Sequence, residues 1–270
     1  MRLGKKLAIR DDDVCALTRW EEVDAVYERL WGKVCVSFSV IPFVGAPLPF
    51  RAREPLPAPL PLDSNWELVE NLRILLAKRW ASVSLHGYDH LYRKEGGADL
   101  PEYRWKPREL LVSQTVEGKS YLQRIFGQNV HVFVPPSNAI GRGGIAAIEE
   151  AGLHLSGVMG RWGDRPPSLS YFRAYVLRWG YRLFTGFPYP YPLRVGRHLE
   201  LAYYSLTSSS SYERVRRALA FCHRRAAPFV LAVHYWELFG NDTLRHMVYE
   251  VVAEALKLGF EPSPLAECLQ

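Results

Sequence analysis

The chain lacks the features that mark several common classes of protein. It contains no run of about 18 or more apolar residues, so the sequence predicts no membrane-spanning helix. Its four cysteines lie far apart and form no C-x-x-C pair, which argues against a zinc knuckle and a disulfide scaffold, and we interpret Cys35 as a core residue. The N-terminus lacks the apolar core and the small-residue cleavage site of a secretory signal. We therefore expect a cytoplasmic protein without a membrane partner.

The positive charge of the chain is not concentrated in one place. The net charge is +6 and the isoelectric point is about 9.1. Apart from short clusters such as RVRR at 214–217, on one predicted helix, the lysines and arginines are scattered. Solvated helix faces account for this pattern better than nucleic-acid binding does, so we expect no nucleic-acid partner.

What the sequence does contain is an alternation of short apolar runs with segments of helical periodicity. This alternation predicts parallel strands joined by crossover helices, and 270 residues without an internal repeat or linker predict one α/β domain over residues 1–270. Thr18 and Ser64 are predicted helix caps. The proline-rich segment 41–63 is predicted to be a long extended loop. The segment 160–197, rich in Trp, Tyr, Pro and Gly, gives no clear pattern of strands or helices. Strands are predicted at 6–10, 33–40, 81–87, 131–136, 154–159, 199–206 and 228–234, and helices at 18–32, 64–79, 107–126, 145–152, 208–225 and 241–258.

Polar side chains stand at the carboxyl ends of four predicted strands. The three aspartates 11–13 follow the first strand, His86 ends a later one, residues 135–138 (PPSN) follow another, and His234 ends the last. Because the carboxyl ends of parallel strands share one rim, we expect these side chains to lie close together. His90, four residues after His86, is near enough in sequence to reach the same place.

Two imidazoles and one carboxylate suit zinc or a similar divalent ion. Three protein ligands leave a position open for water, which is typical of catalytic sites. A second carboxylate beside them is a candidate general base, and a histidine across the rim is a candidate general acid. Ordinary roles are the alternatives: loop histidines for His86 and His90, a solvated turn for residues 11–13, and an interior histidine for His234.

The motifs together resemble those of a known family. The resemblance is to the polysaccharide deacetylases, the NodB-like carbohydrate esterases, and to a divergent branch of them, and it covers residues 6–267. It implies a distorted (β/α) barrel of about seven parallel strands and a metal-dependent removal of acetyl groups from amino sugars. The motifs are the aspartate pair within 11–13, HGYDH at 86–90, FVPPSN at 133–138, LAVH at 231–234 and LGFEPSPLAECL at 258–269.

The resemblance implies roles for the aspartates and two of the histidines. His86 and His90 match the family's metal-binding histidines. The triple aspartate allows two alignments, and the alternation of apolar residues in the first strand favours Asp12 as base and Asp13 as metal ligand over Asp11 and Asp12. The implied ion is Zn²⁺, or another divalent transition metal such as Co²⁺ or Ni²⁺.

The resemblance also implies a general acid, and the mechanism expected for such a site adds groups that bind the substrate. His234 matches the family's general acid. The backbone between Pro136 and Asn138 is expected to stabilise the oxyanion, and aromatic side chains are expected to flank the mouth of the site. These aromatic side chains are Tyr88, Tyr92, Tyr235 and Trp236.

Two departures from the family pattern stand out. Val134 occupies the position where the family usually has an arginine that orients the aspartate base, and Arg10, Arg142 and Arg161 are candidates to replace it. The tryptophan-containing acidic motif that orients the catalytic histidine is not evident.

The function predicted on this basis is a metal-dependent hydrolase acting on carbon–nitrogen bonds. It would remove acetyl groups from a carbohydrate or a related N-acetylated small molecule, so the expected partner is a small molecule or an oligosaccharide. The alternatives are another metal-dependent amide or ester hydrolase on the same site, and a sugar-binding pseudoenzyme.

Overall fold

A curled, mostly parallel β-sheet forms the centre of the fold. The structure is a computed structural model that describes residues 4–47, 54–157, 163 and 167–270. The strands are β1 (Lys6–Val14), β2 (Val36–Val40), β3 (Phe43–Val44), β4 (Leu60–Pro61), β5 (Ala81–Leu85), β6 (Tyr92–Glu95), β7 (Ala98–Pro101), β8 (Val132–Phe133), β9 (His154–Ser156), β10 (Leu193–Val195), β11 (His198–Leu201), β12 (Tyr204–Ser205), β13 (Phe229–Val233) and β14 (Glu261–Pro262).

Helices connect the strands and cover the outside of the sheet. The longest, α4, spans 19 residues and follows a proline, which suits the start of a helix because it lacks an amide donor. Within the described residues, no helix combines the length and apolar character needed to cross a bilayer. The helices are α1 (Trp20–Tyr27), α2 (Trp66–Ala77), α3 (Glu102–Trp105), α4 (Arg108–Phe126), α5 (Arg142–Glu150), α6 (Leu169–Thr185), α7 (Tyr212–Arg224), α8 (Tyr235–Phe239) and α9 (Asp242–Lys257).

The order of the strands explains how the sheet curls. The order is β10–β11–β9–β8–β5–β2–β1–β13–β12, with β14 also paired to β1. Only Ala202 and Tyr203 separate β11, which pairs with β9, from β12, which pairs with β13. One bent segment therefore links the two ends of the sheet. When β11 and β12 are counted as one strand, the described residues form a ring of seven parallel strands. This confirms the predicted distorted (β/α) barrel.

Side chains on the two faces of β1 pack in two different apolar clusters. Leu7 and Ile9 point outward and join the large apolar cluster under the helices. Ala8 points into the barrel and packs with Leu265 and Leu269 of a short C-terminal 3₁₀ helix. This helix fills the amino-terminal end of the barrel with apolar side chains. The polar side chains that follow in β1 therefore lie at the opposite, carboxyl end.

The two predicted helix caps are wrong. Helix α1 begins after Arg19, because the Thr18 hydroxyl accepts the N–H of Cys15 and faces the Tyr235 hydroxyl. Helix α2 begins after Asn65, whose side chain accepts the N–H of Leu68 at 3.2 Å. The Ser64 hydroxyl donates to a preceding carbonyl. In both places the hydroxyl has a partner outside the helix, so it is not available as a cap.

Several elements were not predicted. Short strands β3 and β4 pair within the proline-rich segment, and β6 and β7 form an antiparallel hairpin after the HGYDH turn. Helix α6 and strand β10 lie in the segment 160–197, of which residues 160–162 and 164–166 lie outside the described residues. The four cysteines are buried and unpaired, as expected.

Candidate metal centre and active site

Asp13, His86 and His90 meet at the carboxyl end of the barrel. Oδ1 of Asp13 lies 3.0 Å from Nε2 of His86 and 3.4 Å from Nε2 of His90. All three side chains are buried, and their ligand atoms lie within 4.8 Å of one another. In the part of the chain that the structure describes, they are the one group of His, Cys, Asp and Glu side chains with such spacing.

A local irregularity in β1 brings two consecutive aspartates to this rim. Strict alternation in a strand would send Asp12 and Asp13 to opposite faces. The pairing of β1 with β2 shifts register between Asp11 and Val14, and Asp13 has a φ of 74°. This β-bulge turns Asp13 toward the histidines while Asp12 stays in the barrel. The structure therefore places Asp13, and not Asp11, beside His86 and His90.

The turn that carries both histidines is held by the buried carboxylate of Glu102. This carboxylate accepts the backbone N–H groups of Tyr88, Asp89 and His90 at 2.6, 3.0 and 2.6 Å. Gly87 has a φ of 66°, and a Cβ there would collide with the same carboxylate. Three donated amides and a required glycine fix the path of the chain between the two imidazoles.

A buried lysine lies beside Glu102 and Asp89. Nζ of Lys106 lies 2.5 Å from Oδ2 of Asp89 and 3.5 Å from Oε2 of Glu102, and all three side chains are buried. Burial raises the pKa of Glu102. Burial acts in the same direction on Asp89, but the contact with Glu102 and the charge of Lys106 lower its pKa overall. A buried ion cluster of this kind is costly to break, so it stabilises one conformation of the turn.

The donor atoms suit a divalent metal ion. Nδ1 of His86 lies 3.0 Å from the carbonyl oxygen of Val134, which accepts its proton in the neutral ring. The lone pair of Nε2 then faces the Asp13 carboxylate, an arrangement that a shared cation stabilises. Burial lowers the pKa of His90 to about 4, so this ring is neutral at pH 7, as a metal ligand must be. The residues present therefore fit a zinc-type ion.

Asp12 is paired with Arg10 two residues earlier on the same face of β1. A guanidinium nitrogen of Arg10 lies 2.6 Å from Oδ2 of Asp12, and it also donates to Oδ1 of Asn138 at 2.8 Å. The other terminal nitrogen donates to the backbone carbonyl of Ser156. Arg10 is fully buried and lies 4.1 Å above the ring of Tyr203. Arg10 thus contacts Asp12 where the family uses an arginine from another strand.

Arg142 and Arg161 are the other two arginines considered as partners of the aspartate base. Nε of Arg142 donates to the carbonyl of Gly163, away from Asp12. Arg161 lies outside the described residues.

Asp11, the remaining aspartate, points to the outer face of β1 and accepts the N–H of Tyr235 at 2.8 Å. Burial raises the pKa of Asp11 well above its ordinary value.

His234 lies across the rim, at the end of β13. Its Nδ1 lies 2.9 Å from Oε2 of Glu237, and its Nε2 lies 3.8 Å from Oδ2 of Asp13. Burial opposes protonation, but the hydrogen bond with Glu237 and the charges of Asp13 and Asp12 raise the pKa of His234 to about 9. His234 is therefore a cation at neutral pH, with Nδ1–H donating to Glu237.

Of the aromatic side chains predicted to bind substrate, Trp236 and Tyr92 lie beside the cluster of Asp13, His86 and His90, whereas Tyr88 and Tyr235 pack elsewhere. The indole N–H of Trp236 lies 3.3 Å from Oδ2 of Asp13, and Tyr92 lies beside His90 and contacts the Ser137 hydroxyl. Tyr88 packs on Phe43, and its hydroxyl donates to a glutamate of α4. The ring of Tyr235 is buried.

The turn after β8 approaches the site through its backbone and one side chain. Ser137 and Asn138 both have positive φ values, 52° and 53°. Pro136 has no amide proton, and the N–H of Asn138 donates to the carbonyl of Pro135. The side-chain oxygen of Asn138 is bound to Arg10. The backbone of this turn is therefore held in a fixed, uncommon conformation.

Sequence reasoning missed Glu102 and Glu237. Glu237 carries a signal, because a glutamate three residues after a histidine at a helix start lies on the same side of the helix. No neighbouring residue in the sequence reveals the role of Glu102, because only the intervening β6–β7 hairpin brings it back to the HGYDH turn.

Comparisons with solved structures agree with this architecture. A scan against protein-family models found no match, and a search of curated proteins found no relative. The chain is similar to the CE4 domain of a multidomain xylanase from the hindgut metagenome of Trinervitermes trinervoides, at 12% identity and a TM-score of 0.51, covering 98% of this chain and 90% of that one.

Two further structures are similar over nearly the whole chain. A Mycobacterium smegmatis protein assigned as a polysaccharide deacetylase has 14% identity and a TM-score of 0.55, covering 98% of this chain and 90% of that one. A CE4 family pseudoenzyme from Bacillus anthracis has 9% identity and a TM-score of 0.52, covering 100% and 67%. The chain therefore has the fold of the polysaccharide deacetylases, the NodB-like carbohydrate esterases.

Proposed function

We propose that the chain is a metal-dependent hydrolase that removes acetyl groups from a carbohydrate or a related N-acetylated small molecule. The observation that carries the proposal is the convergence of Asp13, His86 and His90 between two further groups. On one side lies Asp12 with its arginine, and on the other lies His234. A ligand set flanked by a base and an acid is the arrangement that amide hydrolysis requires.

Asp13, His86 and His90 would hold the ion. A zinc ion, or Co²⁺ or Ni²⁺, would polarise the acetyl carbonyl and lower the pKa of a water molecule. The chain fixes the ligands through the Val134 carbonyl behind His86 and the Glu102 carboxylate behind His90. These contacts hold the ring of His86 and the backbone of His90 in place before any ion arrives, so that the three side chains would bind the ion without rearranging.

Asp12 is the general base in this proposal. Its Oδ2 is held by Arg10, whereas its buried Oδ1 has no hydrogen-bond partner among the described residues. Oδ1 can therefore accept the proton of an attacking water. The ion pair with Arg10 holds the carboxylate in one orientation, so the accepting oxygen stays in one position.

His234 is the general acid. Because its pKa is raised to about 9, it carries the proton that the departing amine requires at neutral pH. The carboxylate of Glu237 accepts from Nδ1, so the proton to be transferred is the one on Nε2. Nε2 faces the Asp13 side of the rim, where the acetyl group would bind.

The turn 136–138 would stabilise the oxyanion, with Ser137 as the amide donor to test. Pro136 cannot donate, and the Asn138 amide already has a partner. Trp236 and Tyr92, which border the Asp–His cluster, would flank the acetyl group or the sugar. The position of Tyr88 against α4 gives it a more distant role in this proposal.

The test combines metal analysis with acetate release from small N-acetylated sugars. We expect the purified protein to bind about one equivalent of zinc and to release acetate. His86→Ala should lose both properties, whereas the control His246→Ala, at an exposed histidine, should keep both. Full metal uptake and turnover in His86→Ala would refute the assignment of the centre.

Two other outcomes favour the alternative functions. Metal binding without acetate release from any N-acetylated sugar would indicate a hydrolase for a different amide or ester. Neither metal nor turnover, with retained sugar binding, would indicate a pseudoenzyme, which one structurally similar protein is described to be.

A further inference from the structure

A cavity of about 700 Å³ lies beside the proposed active site. One wall is α6, and the other is the segment from Tyr203 to the first turn of α7. A cavity of this volume is large enough for a sugar with a substituent. The proposed chemistry uses none of the side chains that line it.

Two chains of contacts connect this cavity to the proton-transfer residues. Tyr203, which lines the cavity, lies under the guanidinium of Arg10, the partner of Asp12. On the other side, Ser208 precedes the lining residues Ser209–Ser211, and its hydroxyl donates to Glu237, the partner of His234. Tyr203 therefore links the cavity to the Asp12 half of the proposed active site, and the lining serines directly follow the residue that contacts Glu237.

The charge of the cavity has one sign. Three arginines line it, Arg178, Arg182 and Arg214, and the described residues of the lining include no aspartate or glutamate. Arg178 is paired with the buried Glu200 behind the wall. The guanidinium groups of Arg182 and Arg214 make no hydrogen bond or ion pair with the described residues. Two exposed arginines that line one cavity without an acidic partner suit a phosphate, whose oxygens accept several N–H donors at once.

Aromatic side chains complete the lining. Tyr175, Trp179 and Tyr189 present ring surfaces to the same space. Such rings offer an apolar face for the C–H side of a sugar together with a polar edge. We propose that this cavity binds a phosphate group on the acetylated sugar, so that the substrate is an N-acetylated sugar phosphate. This proposal about the cavity rests on the proposed function in one respect, namely that the substrate carries an acetyl group that is removed.

The test measures binding of deacetylated sugars, which cannot be hydrolysed again. Calorimetry on the purified protein compares glucosamine 1-phosphate with glucosamine. We expect the phosphorylated sugar to bind at least about tenfold more tightly, the effect of one or more charge-assisted hydrogen bonds. Because phosphate can also coordinate a metal, the double variant Arg182→Gln, Arg214→Gln decides the origin of the preference.

The double variant should lose the preference for the phosphorylated sugar. The control Arg173→Gln, Arg217→Gln removes the same charge from α6 and α7 at exposed positions outside the cavity, and it should keep the preference. Equal binding of the two sugars to the unmodified protein, or an unchanged preference in the first variant, would overturn the proposal.

The acetate assay separates this inference from the proposed function. A preference that depends on Arg182 and Arg214 in a protein that releases no acetate would leave the cavity assignment standing and refute only the deacetylase. Acetate release from neutral and phosphorylated sugars at equal rates, with equal binding, would refute only the cavity assignment.

Discussion

The two sides of the site are built differently. The side formed by β1 and the HGYDH turn is buried: Arg10 is 0% exposed and His86 is 2% exposed, and partners from other strands hold their polar atoms. The side formed by α6 is open, with Trp179 at 58% and Phe184 at 87% exposure. Groups that hold an ion or move a proton need fixed positions and little water. Groups that recognise a ligand can remain accessible and adaptable.

Replacing Arg10 is expected to have the largest effect on the buried side. Arg10→Met leaves the Asp12 carboxylate buried without its cation, which should lower the free energy of unfolding by about 3–5 kcal/mol. Urea denaturation of the variant measures this loss. The matched control Arg142→Met removes an arginine at an exposed contact and should cost much less. A loss in Arg10→Met no larger than in the control would show that the buried side is not held by this pair.

Glu102→Gln tests whether the turn positions the metal ligands. Glutamine keeps one acceptor oxygen but places an NH2 group where the second carboxyl oxygen accepts backbone N–H groups. Loss of such a supporting contact should weaken zinc binding by about 10–100-fold. Competition with a chelator measures the affinity, and Glu109→Gln, at an exposed position in α4, is the control. Unchanged affinity in Glu102→Gln would mean that the histidines hold their positions without it.

Glu237→Gln tests the histidine that stands between the two sides. His234 must be protonated to act as an acid, so activity should fall as the pH rises through its pKa, which is raised to about 9. Loss of the Glu237 charge should move this alkaline limb to lower pH by about one unit. The pH dependence of kcat measures the shift, with the exposed Glu213→Gln as control. A limb that stays in place or moves to higher pH would contradict the assignment of His234.

The smallest effect is expected on the open side. Phe184→Ser should change the free energy of unfolding by less than about 0.5 kcal/mol, because the ring contacts mainly solvent. Tyr171→Ser, on the buried face of the same helix, should cost more. Thermal unfolding of both variants measures the difference. A large loss in Phe184→Ser would show that a partner covers this face of α6.

The buried side could largely be predicted from the sequence. The aspartates, His86 and His234 each follow a short apolar run, and that pattern alone places them at strand ends. The choice between Asp11 and Asp13 could not be predicted with the same certainty, because it depends on a β-bulge. A bulge depends on pairing with β2 and leaves no mark in the composition of the strand.

The open side could not be predicted, for a physical reason. Helix α6 carries apolar residues on its solvent face as well as on its buried face, for example Leu183 and Phe184 outside and Tyr171 inside. The contrast between a polar and an apolar face, which reveals most helices, is therefore weak. Glu102 was missed because its contact with residues 88–90 depends on the hairpin between them.

The pairing of β1 with β13 has a consequence for biosynthesis. Asp11 accepts the amide of Tyr235, next to His234, more than 200 residues later in the chain. A ribosome must therefore add more than 200 residues after the aspartates before the proposed acid and base can face each other. Partly synthesised molecules would carry the aspartates, His86 and His90 without His234 in place, so the proposed activity would arise only when β13 closes the barrel beside β1.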